Sequence, residues 1–448
     1  MEATIDRKQQ EKASKKHPPG LYLLFMTEMW ERFSYYGMRA ILVLYLTSSL
    51  INGGLGMSES FAMGLYGFFT GAVYLTPMVG GWITDRFIGR RTAITIGGVT
   101  MALGNIALFS SQTHMALYLG LILLIIGNGF FKPNISTLVG ELYEENDHRR
   151  DAAFTIFYMG INVGAFFAPL VVGLFTEFRY GFLVAALGMI VGQLIFNLLG
   201  NKYLGDIGKA PAGQATAATD GNNAAKNKPL TKKEKQRTAV IFIITAFVVF
   251  FWAGFEQAGS SLTLYADRFV DRSVGGWTVP TAWFQSLNPL FIVILAPIIS
   301  GVWIKLSNSK RGDLKVPTKM GLGMIFLGLG YMALLVAVLQ TGSDEGSITI
   351  KANMMFLVLT YLMHTLGELF LSPIGLSLVS KIAPIKLASL LMGVWLAGSG
   401  IANILAGQLA VFTQSLGYFE VFGLIGLLAI VLGFILLLIS KKLVNMME

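Results

Sequence analysis

The sequence predicts an all-α integral membrane protein with twelve transmembrane helices arranged as two six-helix bundles. Of its 448 residues, 54% are hydrophobic and 13% are charged, whereas about 25% of the residues of an ordinary soluble domain are charged. The apolar residues collect in runs of about 20 residues or more, the length that an α-helix needs to cross a bilayer. The two halves of the chain also share a sequence pattern, which indicates an internal repeat.

Six apolar runs precede a polar segment, and six follow it. The runs cover residues 21–50, 61–84, 92–110, 114–140, 152–175, 180–200, 237–265, 281–304, 316–340, 352–380, 386–413 and 417–440. The segment 201–236 is rich in small and charged residues and is too polar to bury a core, so it reads as a flexible cytoplasmic linker. The predicted organisation is an amino-terminal cytoplasmic segment (1–20), a first bundle (21–200), the linker (201–236), a second bundle (237–442) and a cytoplasmic tail (443–448).

The distribution of basic residues predicts the orientation in the membrane. When the loops are counted alternately, one side holds 27 Lys and Arg and the other holds four, Arg179, Arg268, Arg272 and Lys351. Basic residues are concentrated in loops that stay in the cytoplasm. Both termini and the linker are therefore expected to be cytoplasmic, in a multi-pass protein of the plasma or inner membrane.

A short repeat supports the division into halves. Pro77–Gly81 closes the second span, and Pro297–Gly301 closes the eighth; each is followed by a Trp and then by a basic loop. Six plus six spans with a substrate site between them, near the bilayer midplane, is a common design of secondary transporters. Pro and Gly are frequent in membrane helices in general, so the match gains its weight from its position.

Composition excludes several classes of function. The net charge is +9, but too little charge lies outside the apolar runs to build a nucleic-acid-binding face. The chain has no Cys, which excludes zinc–thiolate sites and thiol nucleophiles. It carries no phosphate-binding GxxxxGK[ST] loop and no HExxH. A membrane enzyme would need a nucleophile with its base or a set of metal ligands, so we expect neither an enzyme nor a metal or cofactor.

Charged residues inside the apolar runs mark the candidate site. Each would cost about 2.5–3.5 kcal/mol at the centre of an isolated helix, which amounts to roughly 20 kcal/mol for all of them. They must therefore pair with one another or face water. Four acids nearly balance three bases, and the carboxylate left over would suit a proton carrier; static structural pairs are the alternative. The residues are Glu28, Glu31, Arg32, Arg39, Lys132, Glu256 and Glu368.

The first span carries these charges on one face. At about 100° per residue, Glu28, Glu31, Arg32, Tyr35 and Arg39 fall within roughly 100° of arc. The stripe is about 16 Å long at 1.5 Å per residue, which is more than a single buried ion pair needs. We expect it to face a cavity.

Two opposite charges lie beside prolines in corresponding spans. Lys132 precedes Pro133 in the fourth span, and Glu368 lies five residues before Pro373 in the tenth. Proline permits a helix to bend, so the pair suits a gate that closes when the two charges meet. A Lys that extends to the membrane surface beside an incidental kink is the alternative.

Polar and aromatic residues complete the predicted cavity. Each is weak by itself, because Tyr and Trp also form interfacial belts and Asn also joins helices. The candidates are Tyr36, Tyr74, Tyr158, Asn162, Trp252, Asn288 and Trp395.

Several motifs together resemble the proton-dependent oligopeptide transporters of the major facilitator superfamily. Glu28–Phe33 is similar to the ExxERF signature of that family. Gly81–Arg91, which includes Asp85, Arg86, Arg90 and Arg91, resembles the cytoplasmic loop motif of the superfamily. Phe157–Gly164, Phe131–Asn134 and Phe255–Gln257 also fit.

The resemblance implies roles for matching residues. Arg32 and Lys132 would attract the peptide carboxylate, Glu368 would hold the peptide amino terminus, and Asn162 and Asn288 would bind its backbone. The aromatic wall would comprise Tyr35, Tyr36, Tyr74, Trp252 and Trp395. Arg39 and Glu256 would form the bridge that closes the outer side, and Glu28 and Glu31 would take part in proton movement.

The implied fold is the major facilitator fold, and the implied function is proton-coupled symport of di- and tripeptides by a monomer whose other partners are protons and membrane lipids. A peptide is a zwitterion, so charged poles separated by amide-binding groups would recognise it whatever its sequence. Breaking the bridge between Arg39 and Glu256 would favour proton uptake on Glu256. A proton-driven carrier of nitrate, drugs or another small anion on the same scaffold is the rival. Many bacterial relatives have two more spans, which residues 201–236 cannot form; the chain is either a twelve-span member or one shortened there.

Overall fold

Twelve long helices make up most of the described structure. A computed structural model describes residues 16–144, 147, 149–211, 230–310, 312–342, 348, 350–371 and 375–447. The long helices are α1 (Pro19–Thr47), α2 (Glu59–Ile83), α3 (Arg90–Ser110), α4 (His114–Glu141), α5 (Arg149–Val172), α6 (Phe178–Leu204), α7 (Lys232–Phe255), α9 (Leu287–Ser307), α10 (Val316–Thr341), α11 (Met355–Leu371), α13 (Ala388–Leu416) and α14 (Tyr418–Met447). Two short helices, α8 (Ser261–Phe269) and α12 (Gly375–Ile382), follow α7 and α11.

The length and composition of these helices identify a multi-pass membrane protein. Among the described residues, ten helical segments are long and apolar enough to cross a bilayer. The other two long helices are α1, which contains four of the charged residues discussed above, and α11, which has 17 residues. The predicted all-α membrane fold of twelve helices is confirmed.

Two large hydrophobic clusters form most of the core, and a third, small one joins Ile241, Val379 and Leu391. One is built mainly from α1–α6, and the other from α7–α14. Fully buried aromatic rings lie in both, for example Phe131 and Phe182 in the first and Phe251 and Phe422 in the second. The clusters agree with two bundles, although the predicted boundaries between the segments stay predictions.

Two predicted spans contain 3-10 turns. The seventh is α7 followed by a 3-10 turn (Glu256–Gly259) and α8, and the eighth begins with a 3-10 turn (Thr281–Ser286) before α9. The predicted span over 237–265 lies within one long helical segment, Lys232–Phe269, which contains the 3-10 turn. The break places the Glu256 carboxylate at a helix end, a position that hydropathy does not reveal. In the tenth span α11 ends at Leu371, and the predicted bend at Pro373 falls outside the described residues.

The ends of the predicted linker are ordered. Helix α6 continues to Leu204, and α7 already begins at Lys232, where Thr231 and Glu234 form a capping box. Residues 205–211 pack on the start of α3, because the backbone N–H of Arg91 donates to the Gly208 carbonyl at 2.9 Å. The helices thus continue beyond their apolar runs into polar sequence, where a capping side chain or water can satisfy the backbone groups at the helix ends.

The connections at the opposite end are short and partly strand-like. Val270–Asp271 pairs in parallel with Ala352–Asn353, and Ser273–Val274 pairs with Trp277–Thr278. We call this end, which is remote from Leu204 and Lys232, the far end of the bundle.

Candidate transport site

A cavity of about 240 Å³ lies between the two halves. Helices α1, α2 and α5 wall it from the first half, and α7, α9, α11 and the two 3-10 turns wall it from the second. Nine of the predicted site residues line it. They are Tyr36, Arg39, Tyr74, Tyr158, Asn162, Trp252, Glu256, Asn288 and Glu368.

Glu368 stands in the cavity wall beside a polar partner. Its Oε2 accepts a hydrogen bond from the Asn288 amide at 2.8 Å, and the same amide group lies 3.1 Å from the Thr365 hydroxyl. Only 8% of Glu368 is exposed, and no ion pair within 4 Å joins it to the described basic side chains. The carboxylate is therefore a buried acceptor with capacity for a further donor.

Arg39 and Glu256 form a buried ion pair across the halves. Arg39 also donates from Nε to the Tyr66 hydroxyl at 2.5 Å, and its guanidinium lies 5.8 Å from the centre of the Tyr36 ring. The structure thus joins the two residues that the sequence predicted as a bridge. Tyr66 was not predicted, since one hydroxyl in an apolar run gives no signal of its partner.

The other charges of the first span form a separate network. Arg32 pairs with Glu31, and its Nε lies 3.2 Å from Glu28. Asn128 of α4 donates to Glu31 at 3.4 Å. None of these four residues is in the cavity lining. The predicted stripe is therefore continuous in sequence but divided in space, with Arg39 at the cavity and Glu28, Glu31 and Arg32 packed against α4.

Lys132 and Glu368 do not meet in this structure. The Lys132 ammonium lies 4.2 Å from the centre of the Tyr74 ring, in the geometry of a cation–π contact, while Glu368 is held by Asn288. Among the described residues, no ion pair within 4 Å includes Lys132. The predicted closed gate between the two charges is thus not formed here, and each lies near the cavity with a neutral partner.

Two predicted aromatic residues lie outside the main cavity. Tyr35 is 2% exposed and packs between Arg32 and Tyr36. Trp395 lines a second cavity of about 180 Å³, which shares Tyr74, Trp252 and Glu256 with the first. Helical spacing placed Tyr35 on the polar face, but it could not show that the ring is covered by its neighbours.

Contacts at the far end close the space between the halves. Glu59 of α2 pairs with Arg268 and accepts a hydrogen bond from Gln414 at 2.6 Å. Trp283 donates to the Leu170 carbonyl at 3.0 Å, and Ser286 donates to the Phe166 carbonyl at 2.8 Å. These contacts join the two halves at the far end, and the ion pair of Arg39 and Glu256 joins them at the cavity wall. The cavity is therefore shut off on one side.

The loop motif after α2 is an ordered charged cluster. Residues Thr84–Ile88 form a π-helical turn, and Gly89 follows with φ of 71°. Arg90 bridges Asp85 at 3.1 Å and Glu141 at 2.6 Å. The Arg86 guanidinium lies 4.9 Å from the centre of the Trp82 indole, and Arg91 donates to the Gly205 carbonyl at 2.9 Å. The cluster ties α2 to α4 and to the end of α6.

Further polar residues of the cavity wall were not predicted. Gln285, Tyr361 and His364 line the cavity, and Thr365 contacts the Asn288 amide. His364 is 2% exposed, and its Nε2 has no hydrogen-bond partner among the described residues. The only sequence signal for His364 is that it lies four residues before Glu368 on the same helix. This spacing does not show whether its side chain lines the cavity or packs in the core.

Comparison with known proteins identifies the family. The sequence matches the POT family over residues 91–214 and 210–425. The chain belongs to the POT family. It is 36% identical to the "Uncharacterized transporter YclF" of Bacillus subtilis, over 96% of this chain and 95% of that one. It is 31% identical to a "Di-/tripeptide transporter" of Lactococcus lactis subsp. cremoris, over 96% of each chain.

Solved POT-family structures have the same fold. The crystal structure of a peptide transporter POT in complex with sulfate aligns with a TM-score of 0.88 and 36% identity, over 98% of this chain and 99% of that chain. The twelve helices and the cavity between the halves thus belong to a POT-family transporter.

Proposed function

We propose that this POT-family protein is a proton-coupled symporter that imports di- and tripeptides by alternating access. The observation that carries the proposal is the cavity wall, where Glu368 has a hydrogen bond from Asn288 but no basic partner among the described residues. A peptide amino group brings the missing positive charge, and its three donors match the acceptors of a carboxylate.

The opposite pole of the site is supplied by Lys132. Its ammonium rests on the Tyr74 ring, and Tyr74 itself lines the cavity. A cation held by a ring rather than by a carboxylate is available to a peptide carboxylate, because the cation–π contact is worth only about 0.5–2 kcal/mol. Asn162 and Asn288 then face the peptide bonds between the poles, and Tyr36, Tyr158 and Trp252 enclose the remainder.

Arg32 takes a more remote role in this proposal. It is paired with Glu28 and Glu31 and lies outside the cavity lining. Protonation of either carboxylate would release part of the guanidinium's charge toward Lys132 and the bound carboxylate. We therefore assign Glu28, Glu31 and Arg32 to proton coupling, with Arg32 acting on the substrate through its charge.

The ion pair of Arg39 and Glu256 is the proposed outer gate. A buried pair is stable only while both charges are present, because an unpaired buried charge is costly. A proton on Glu256 removes one of them and allows the far end to separate. Peptide and proton thus act on charged groups of the same cavity, so the loaded carrier reorients and the half-loaded one does not.

The proposal also covers the membrane location, the oligomeric state and the energy source of the protein. The basic loops favour a plasma or inner membrane protein with both termini and the linker in the cytoplasm. We further propose a monomer that needs no metal or cofactor, is driven by the proton gradient and has no enzymatic activity. A gradient of about 100 mV supplies roughly 2.3 kcal/mol per elementary charge.

Uptake into proteoliposomes tests the proposal. With an inward proton gradient, labelled dialanine should accumulate, and unlabelled di- and tripeptides should compete with it. When the proton gradient is dissipated, dialanine should equilibrate across the membrane but should not accumulate inside. If no di- or tripeptide enters or exchanges while nitrate or another small anion does, the proposal is wrong and the chain is a carrier of that anion.

A further inference from the structure

A third cavity lies between α10 and α14, at the end of the bundle opposite the far end, and its volume is about 500 Å³. Lys315 directly precedes α10, whose apolar sequence begins at Val316. Lys441 directly follows the apolar run of α14, which ends at Ser440. Both lysines line the cavity. They therefore lie where apolar helix gives way to polar sequence, which is the depth of the lipid headgroups in a membrane protein.

The charge of this cavity is positive only. Among the described residues that line it, none is acidic. Both lysines are exposed, and neither ammonium forms an ion pair or a hydrogen bond with the described residues. Asp313, the acid nearest to Lys315 in the sequence, accepts a hydrogen bond from Lys319 at 2.7 Å. Two ammonium groups thus share one cavity without a counter-ion, and an anion between them would attract both.

The rest of the lining suits a phosphate with an apolar tail. The Thr318 and Ser440 hydroxyls lie 2.8 Å apart and share one hydrogen bond, so one O–H of the pair is left to donate. Asn445 adds a side-chain amide. Leu437 borders the cavity, and its neighbour Leu438 is 84% exposed. The donors are therefore continuous with the apolar, lipid-facing surface of α14.

The first half of the chain fills the corresponding cleft with its own residues. The third and sixth long helices of each half pack together, as α3 with α6 and as α10 with α14. Between α3 and α6, Arg91 donates to the Asn201 side chain and to the Gly205 carbonyl, both at 2.9 Å. Between α10 and α14 the cleft is an open cavity lined by two lysines. The basic groups that bind protein in one half thus face open space in the other.

We propose that the cavity between α10 and α14 binds the phosphate headgroup of an anionic phospholipid, with the acyl chains along the exposed surface of α14 at Leu438. Basic pockets between transmembrane helices are typical sites for such headgroups. A soluble phosphate would gain the same ion pairs, but only a lipid also gains the apolar contacts. The inference does not depend on the transported substrate, and the proposed orientation assigns the site to the cytoplasmic leaflet.

Native mass spectrometry of the purified full chain tests the site. The protein is titrated with phosphatidylglycerol and with phosphatidylcholine that carries the same acyl chains, so that the two lipids differ in headgroup charge. The wild type should bind phosphatidylglycerol more tightly. Each lysine near the phosphate contributes about fivefold, so Lys315→Gln with Lys441→Gln should weaken phosphatidylglycerol about thirtyfold and leave phosphatidylcholine unchanged. Lys315→Arg with Lys441→Arg keeps both charges and should bind like the wild type.

Lys305→Gln with Lys442→Gln is the matched control. Both lysines are exposed at the same end and lie outside the cavity lining, so this variant loses equal charge and should keep the wild-type affinity. Equal losses in the two Gln variants, or a wild type without preference for phosphatidylglycerol, overturn the site. Displacement of the lipid by millimolar glycerol 3-phosphate would indicate a site for soluble phosphate and would also overturn it. If the Lys315 and Lys441 variants fail to fold, the wild-type preference and this displacement decide.

Discussion

Arg39 and Glu256, which are 217 positions apart in the chain, form a buried ion pair that joins the two halves. Tyr66 holds the same guanidinium at 2.5 Å, so the arginine is fixed from its own half and free to release the carboxylate of the other. If this pair is the outer gate proposed above, neutralising one of its charges should open it.

Glu256→Gln should open the far end. Removing one partner of a buried ion pair costs about 3–5 kcal/mol, so the closed state should lose much of its advantage. Ser286 is 3% exposed and contacts the other half. In the variant, a Cys at position 286 should react at least tenfold faster with an impermeant maleimide added to right-side-out vesicles.

The chain contains no Cys, so the label reports one position. Ile51, which is 97% exposed between α1 and α2, supplies the control: Ile51→Cys should react equally in both backgrounds. Unchanged labelling at position 286 would show that the ion pair does not hold the gate.

Glu368→Gln should lose peptide uptake while the protein remains folded. Truncating one partner of a buried charge pair costs about 2–5 kcal/mol, which predicts at least about a thirtyfold loss of apparent affinity for peptides with a free amino terminus. Glu420→Gln, on the exposed surface of α14, is the control and should transport normally. Retained uptake in Glu368→Gln would remove this carboxylate from the binding site.

Lys132→Ala should weaken ordinary dipeptides more than dipeptides amidated at the carboxyl end. The ammonium on Tyr74 is the proposed partner of the peptide carboxylate, and an amide offers no negative charge. Lys202→Ala removes a comparable ammonium, 5.3 Å from the Tyr203 ring at the surface, and should affect neither substrate. Equal losses for both kinds of dipeptide would mean that Lys132 acts only in gating.

The crossing of α2 and α13 should not tolerate added volume. A Cβ on Gly67 would lie 2.5 Å from the Gly407 Cα, and a Cβ on Gly407 would lie 2.7 Å from the Gly67 Cα. Overpacking typically costs about 1–3 kcal/mol. Gly67→Ala and Gly407→Ala should therefore lower the melting temperature, or lower the uptake rate because α2 and α13 no longer close together at the far end.

Gly64 supplies the internal control for this crossing. A Cβ there meets only Val411 at 3.8 Å, an ordinary van der Waals contact. Gly64→Ala should match the wild type in both melting temperature and uptake. Equal behaviour of all three variants would show that the close approach is not required.

Sequence patterns predicted the residues of the site better than their partners. The cost of charge in a bilayer identified Arg39, Glu256 and Glu368, because hydropathy alone reveals such groups. Periodicity along α1 placed Glu28, Glu31 and Arg32 on the face of Arg39, yet α4 covers that part of the face through Asn128. The face of a helix is local information, whereas the neighbour that covers it depends on tertiary packing.

Helix interruptions were the other limit of the sequence. Hydropathy over the whole run does not show where a break falls, although Gly254 and Gly259 lie near Glu256 and Pro280 and Pro289 lie near Ser286, and such residues disfavour a helix interior. The turns there are stabilised by contacts between distant parts of the chain, such as Gln257 with the Ala406 carbonyl at 2.9 Å. The assignment of Trp395 to a second cavity likewise depends on α13 and α7 packing together.

The most direct test of the account is proton movement caused by peptide. Proteoliposomes that contain the wild type and a luminal pH dye are placed at equal pH inside and outside, with an inside-negative potential, and dialanine is added outside. The account predicts luminal acidification that begins with the peptide, is absent without it and is lost in Glu368→Gln. Peptide entry without acidification would contradict it.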